Sequence, residues 1–110
     1  MMRIPMSAAG SALFRALLAR AEVPRDRILL TSFRSVDWQS LTFVGERHVI
    51  RLRVPGPGAA ATAQALASNL SEAEFAVPGQ IVADIALAGD PRPAGDGSIE
   101  LTIEALTISD

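Results

Sequence analysis

The sequence predicts an α+β fold: two αββ units forming one mainly antiparallel four-stranded sheet with two helices on one face. Three observations point there. Two stretches carry apolar residues at helical spacing, four carry them at alternating positions, and the order helix–strand–strand occurs twice in 110 residues. The units cover roughly residues 7–54 and 58–108 of a single domain, 1–110, with Pro55-Gly56-Pro57-Gly58 between them. A chain of this length buries roughly two-thirds of the surface it exposes when unfolded, enough for one modest core.

The first helix is read from Ser7 to about Glu22. Leu13, Phe14, Leu17, Leu18 and Ala21 make one stripe, Ser7 or Ser11 can cap the start, and Pro24 stops the end. Arg27–Phe33 is the first strand, from the run Ile28-Leu29-Leu30 and the strand-favouring Thr31 and Phe33. A polar connection, 34–40, leads into the second strand. There the phase breaks: Leu41 and Phe43 fall on odd positions, while His48, Ile50, Leu52 and Val54 fall on even ones. Side chains alternate with a period of two, so the break predicts a bulge or turn at Gly45. Residues 41–44 are then either an extension of the strand or a separate short strand. In 47–54, His48, Ile50, Leu52 and Val54 point inward, and Arg47, Val49, Arg51 and Arg53 share the other face.

The second helix is expected from about Gly58 to Asn69. It is rich in alanine, which forms helix readily and buries little area, so it must lie close against something flat. Ser71–Glu74 has capping-box spacing. Gln80–Ala88 reads as a strand with Ile81, Ala83, Ile85 and Leu87 on one face and Asp84 on the other. A turn-rich loop over 89–97 follows, and the last strand alternates from Ser98 to about Ile108 with a phase slip at Ala105-Leu106 that predicts a bulge.

Composition removes whole classes of chemistry. The chain has no cysteine, lysine or tyrosine, which excludes disulfides, thiolate metal sites, cysteine nucleophiles, Schiff bases, a P-loop lysine and a phenolic acid. The net charge of −2 hides an asymmetry: nine arginines against four acids in residues 1–53 (+5), one against eight in 54–110 (−7). Such halves attract each other within a chain or between chains. Arginine 47, 51 and 53 opposite Glu100, Glu104 and Asp84 predicts that the second and last strands are neighbours, with Arg–acid pairs across them. The Arg-rich, acid-poor segment Met1–Ala21 superficially resembles an organellar presequence, but Leu13, Phe14, Leu17 and Leu18 read as core. Arg15 and Arg20 interrupt its longest apolar run, so no membrane span and no membrane partner are expected, and a cytoplasmic location is the default.

The one cluster with acid–base potential is Asp37, Glu46, Arg47 and His48, near the single tryptophan, Trp38. A histidine beside a carboxylate can act as a base while arginine holds an anion. By parity, however, His48 faces the core, which favours a buried, hydrogen-bonded role. Trp38 is read either as an anchor for a partner or as a cover for the open end of the core. Asp90 and Asp96 lack the alternation of a calcium loop, and no metal or other cofactor is expected. Nucleic acid is not expected either, because the arginine face lacks stacking aromatics and the second half is acidic.

These residues specify no reaction. The favoured reading is a soluble, non-enzymatic interaction or oligomerisation module, a homodimer joined by edge strands or by the outer sheet face. It rests on the alanine-rich helix, an apolar content of 49 % and the opposite charges of the halves. The alternative is a small anionic ligand-binding protein or enzyme using a cleft among Trp38, Glu46, Arg47, His48 and Arg51; a protein partner or a small anion would then be the ligand.

Overall fold

A computed structural model of the chain describes residues 5–110; Arg3, counted above in the N-terminal basic set, lies outside them. Helix α1 (Ala8–Ala21) is capped by Ser7, whose Oγ accepts from the Gly10 N–H at 3.0 Å. It closes where Glu22 turns left-handed (φ 55°) and the Val23 N–H reaches the Leu18 carbonyl at 3.0 Å. The stripe Leu13, Phe14, Leu17 and Leu18 is buried, as the spacing predicts.

Strands β1 (Leu29–Gln39) and β2 (Val44–Val54) form a long hairpin. Helix α2 (Ala59–Ala67) follows, then β3 (Gln80–Leu87), the two-residue β4 (Arg92–Pro93) and β5 (Ile99–Ser109). The sheet order is β1-β2-β5-β3, antiparallel throughout, with β4 pairing β5 beyond the end of β3. The expected neighbours, the second and last strands, are thus adjacent, and β4 makes the sheet five-stranded rather than four-stranded. Both helices pack on one sheet face, where Leu13, Leu17, Leu66, Ile50, Leu52, Leu101 and Ile103 form one core.

Helix α2 presents Ala59, Ala63 and Leu66 inward at helical spacing, so its small side chains lie flat against the sheet and α1. It ends earlier than the sequence suggests. The capping-box segment forms one 3₁₀ turn, Leu70–Glu72, with Leu70 buried and no side-chain cap.

Several local expectations fail for identifiable reasons. Residues 34–39 of the polar connection continue β1: its inward positions there are the polar Ser35, Asp37 and Gln39, while Val36 and Trp38 face outward, so no apolar inner stripe marks the strand in the sequence. Residues 41–43 are the hairpin turn, closed by the Ser40 N–H on the Phe43 carbonyl at 2.8 Å, and Val44 opens β2, so there is no separate strand at 41–44. The phase break therefore reflects exposed apolar residues at a turn. No bulge occurs at Gly45 or at Ala105-Leu106, since β2 and β5 stay in register from Gly45↔Ile108 to Val54↔Ile99. Leu106 is simply an apolar residue on the outer face, opposite Arg47 and Asp84. The real bulges lie in the edge strands, at Thr31 and at Ala83. The second reverses the expected facing only ahead of it, leaving Ile81 half-exposed outside while Val82 packs on the core; Ile85 and Leu87 face inward and Asp84 outward as expected.

Candidate functional site

The inner face of β2 carries Glu46, His48, Ile50, Leu52 and Val54 in sequence, so His48 enters the core layer between β1 and β5. Its register partners are Ser35 and Ala105. Only 1 % of His48 is exposed. Nδ1 lies 2.7 Å from Ser35 Oγ and Nε2 lies 2.8 Å from Thr107 Oγ1. The Phe33 ring stands edge-on to the imidazole at 6.0 Å, and Phe14 stands edge-on to Phe33 at 6.5 Å. Both ring nitrogens are thus held by hydroxyls, each of which can donate or accept. Burial holds the His48 pKa below its ordinary value, against a smaller upward pull from the Glu46 carboxylate. The ring is neutral near pH 7 and is sealed from solvent.

Glu46 lies one pleat further out and accepts from Ser7 Oγ at 2.7 Å, so the capping serine of α1 also ties that helix to β2. Gly45 comes next. A Cβ added there would fall 1.9 Å from the Thr107 carbonyl oxygen, so the backbones of β2 and β5 approach closely at this point. Trp38 is half-buried and pairs with Gly45 in register, on the outer face. Arg47 and Arg51 are exposed on that same outer face.

The five residues singled out from the sequence therefore do not converge. Trp38 and Glu46 border a hollow of about 490 Å³ at the end of the sheet, together with Ser7, Asp37, Gln39 and Gly45. Its charged side chains are acidic, a poor match for an anion. Arg51 borders a different cleft of about 570 Å³ on the outer face, with Arg53, Arg92, Asp90 and Glu100. There Arg53 donates to Glu100 at 3.2 Å, the one ion pair within 4 Å among the described residues. The other Arg–acid pairs expected across the second and last strands do not form: Arg51 faces Thr102, Arg47 faces Leu106, and Glu104 faces Val49. His48 borders neither opening.

In the turn-rich loop, Asp96 accepts from the Ser98 hydroxyl at 2.5 Å and from the Ser98 N–H at 3.1 Å, and these bonds lower its pKa. It is a turn-closing residue. Among the described residues no three His, Asp or Glu side chains gather as a metal site would require.

Sequence reasoning missed Ser35 and Thr107, and it placed Ser7 as the helix cap without its hydrogen bond to Glu46. Ser35 sat in a segment read as a connection, and Thr107 sat beyond a supposed bulge; a parity count onward from Phe33 in β1 and from Leu101 in β5 places both hydroxyls on the His48 face.

The fold and this site define an α+β sheet protein whose single histidine serves the interior. No family model matches the chain and no curated protein matches it. Its fold is shared with a chain from the virion of a native gene transfer agent particle, at a TM-score of 0.66 over 94 % of this chain and 100 % of that one, with 16 % sequence identity. At that identity the likeness establishes the fold.

Proposed function

We propose that the chain is a non-enzymatic structural subunit that works by association, within a multi-subunit particle of the gene-transfer-agent kind. The observation that carries this reading is the end-to-end match in fold to a virion chain, with neither chain leaving a large remainder. Two features of the chain support it. Its one candidate base is enclosed between Ser35 and Thr107, where no substrate reaches it. Its exposed apolar residues gather where another chain can cover them: Leu41, Phe43 and Val44 at the tip of the β1–β2 hairpin, and Leu29, Val36 and Ile81 on the two edge strands. The homodimer expected from composition is the smallest assembly of this type.

The test has two arms. Multi-angle scattering of the purified chain over a wide concentration range is expected to report species heavier than 11.6 kDa. Deletion of the gene in its source organism is expected to abolish or truncate particles seen by electron microscopy. A strictly monomeric chain together with normal particles after deletion refutes the proposal.

A further inference from the structure

We infer that copies of this chain join head to tail, with β1 of one copy pairing antiparallel to β3 of the next so that Arg34 and Val36 meet Asp84 and Ile81. This deepens the structural-subunit reading and rests on it, naming a second copy as partner and the sheet edges as the surface.

The topology leaves β1 and β3 as the outer strands; among the described residues no strand pairs the outer edge of β1, and that of β3 carries only the Val77–Gln80 bridge at its first residue, leaving Ile81–Leu87 open. Such edges are templates for strand addition unless they are blunted. Here neither carries a proline, the chain has no lysine, and the Thr31 bulge lies near the start of β1, leaving Ser32–Gln39 regular. Strands alternate in direction across the sheet, so a copy added in the same orientation presents its β1 antiparallel to the first copy's β3. The sheet then continues, with the helices of both copies on one side.

Side chains decide the register. On the outer face of β1, Arg34 and Val36 are successive outward residues. On β3 the bulge at Ala83 makes Ile81 and Asp84 successive outward residues. Read in opposite directions, as antiparallel strands are, the pairs match: Arg34 opposite Asp84, and Val36 opposite Ile81. Val36 and Ile81 are each 51 % exposed, and neither Arg34 nor Asp84 has an ion-pair partner within 4 Å among the described residues. Without the bulge, Asp84 and Ile81 would lie on opposite faces and the match would vanish. Two-fold alternatives fit less well. Pairing β1 with β1 brings two Arg34 groups to a seam without an outward acid, and pairing β3 with β3 brings two Asp84 groups together. A head-to-tail contact closes as a ring or propagates, as its rotation dictates.

Sedimentation velocity on the full-length chain tests this with two charge reversals, R34E and D84R. Both sites are exposed, and melting curves check that both variants fold. Each reversal places like charges across the seam and is expected to weaken self-association roughly tenfold. An equimolar mixture is expected to reassemble, because the R34E copy keeps Asp84 and the D84R copy keeps Arg34, so every alternating seam joins opposite charges. Variants that associate like the wild type, or a mixture that stays apart, overturn the β1–β3 seam while leaving the structural-subunit reading intact. A wild type that remains monomeric also overturns the seam, and particle morphology after gene deletion then decides the broader reading separately.

Discussion

The buried hydroxyl–imidazole–hydroxyl bridge permits a prediction worked through from its geometry. Thr107 is fully buried and holds His48 Nε2 at 2.8 Å. Thr107→Val keeps the shape of the side chain and removes that partner, leaving a ring nitrogen unpaired where water does not reach. The expected loss of stability is about 1–3 kcal/mol. Removing every polar atom together, in Ser35→Ala/His48→Leu/Thr107→Val, leaves nothing unsatisfied and is expected to return stability to within about 1 kcal/mol of wild type. Acidity adds a second readout. The folded ring binds its proton more weakly than the unfolded one, whose pKa is near 6.5. Between 6.5 and the lower folded value, the unfolded state holds the extra proton. This contribution to stability is therefore complete above that window and is lost as pH falls through it, with a slope of at most about 1.4 kcal/mol per pH unit. The triple variant lacks this slope. Urea unfolding at pH 7.5 and 5, followed by the fluorescence of the single tryptophan, measures all of these. A Thr107→Val variant as stable as wild type, or a triple variant with an undiminished acid slope, refutes the reasoning.

Two further substitutions test how β2 is seated. Gly45→Ala sets a methyl group 1.9 Å from a backbone oxygen that cannot rotate away, and calorimetry is expected to find the unfolding midpoint lowered by more than about 10 °C. Ser7→Ala removes both the helix cap and the hydrogen bond to Glu46, with an expected cost of about 1 kcal/mol and faster hydrogen exchange confined to the first turn of α1.

Much of the fold was legible because it follows from periodicity. The stripe Leu13, Phe14, Leu17 and Leu18 defines the buried side of α1, and the even positions from His48 to Val54 define the inner face of β2. The adjacency of β2 and β5 was legible in charge, though only Arg53 and Glu100 realise it as an ion pair. What escaped were features set by the neighbour across the ladder. Apolar residues at a turn, such as Leu41 and Phe43, mimic a strand in the wrong phase. The bulge at Ala83 has no local signature, since Ile81, Ala83 and Ile85 alternate as they would in a regular strand. At the candidate site, parity placed His48 indoors, but pairing in space decided its partners, Ser35 and Thr107, which lie 13 and 59 residues away.

The same pleat that hides His48 separates the polar groups that sit near it in the sequence. Residues close in sequence on a strand are dealt alternately to two faces, so Arg47 and Arg51 part company with Glu46 and His48 although they are neighbours in the chain. A site for chemistry needs groups converging within hydrogen-bond reach, and the inner face has filled that space with core. The outer face stays broad, with its polar residues spread along four long strands. Meanwhile Leu29, Val36, Leu41, Phe43, Val44 and Ile81, each more than half exposed, lie at the edges and the hairpin tip. Covering them gains about 25 cal/mol for each Å² removed from water, and a second copy can cover edge positions by extending the ladder. Hydrophobic contact alone is indifferent to direction. Arg34 on one edge and Asp84 on the other supply the sign that makes one edge the complement of the other.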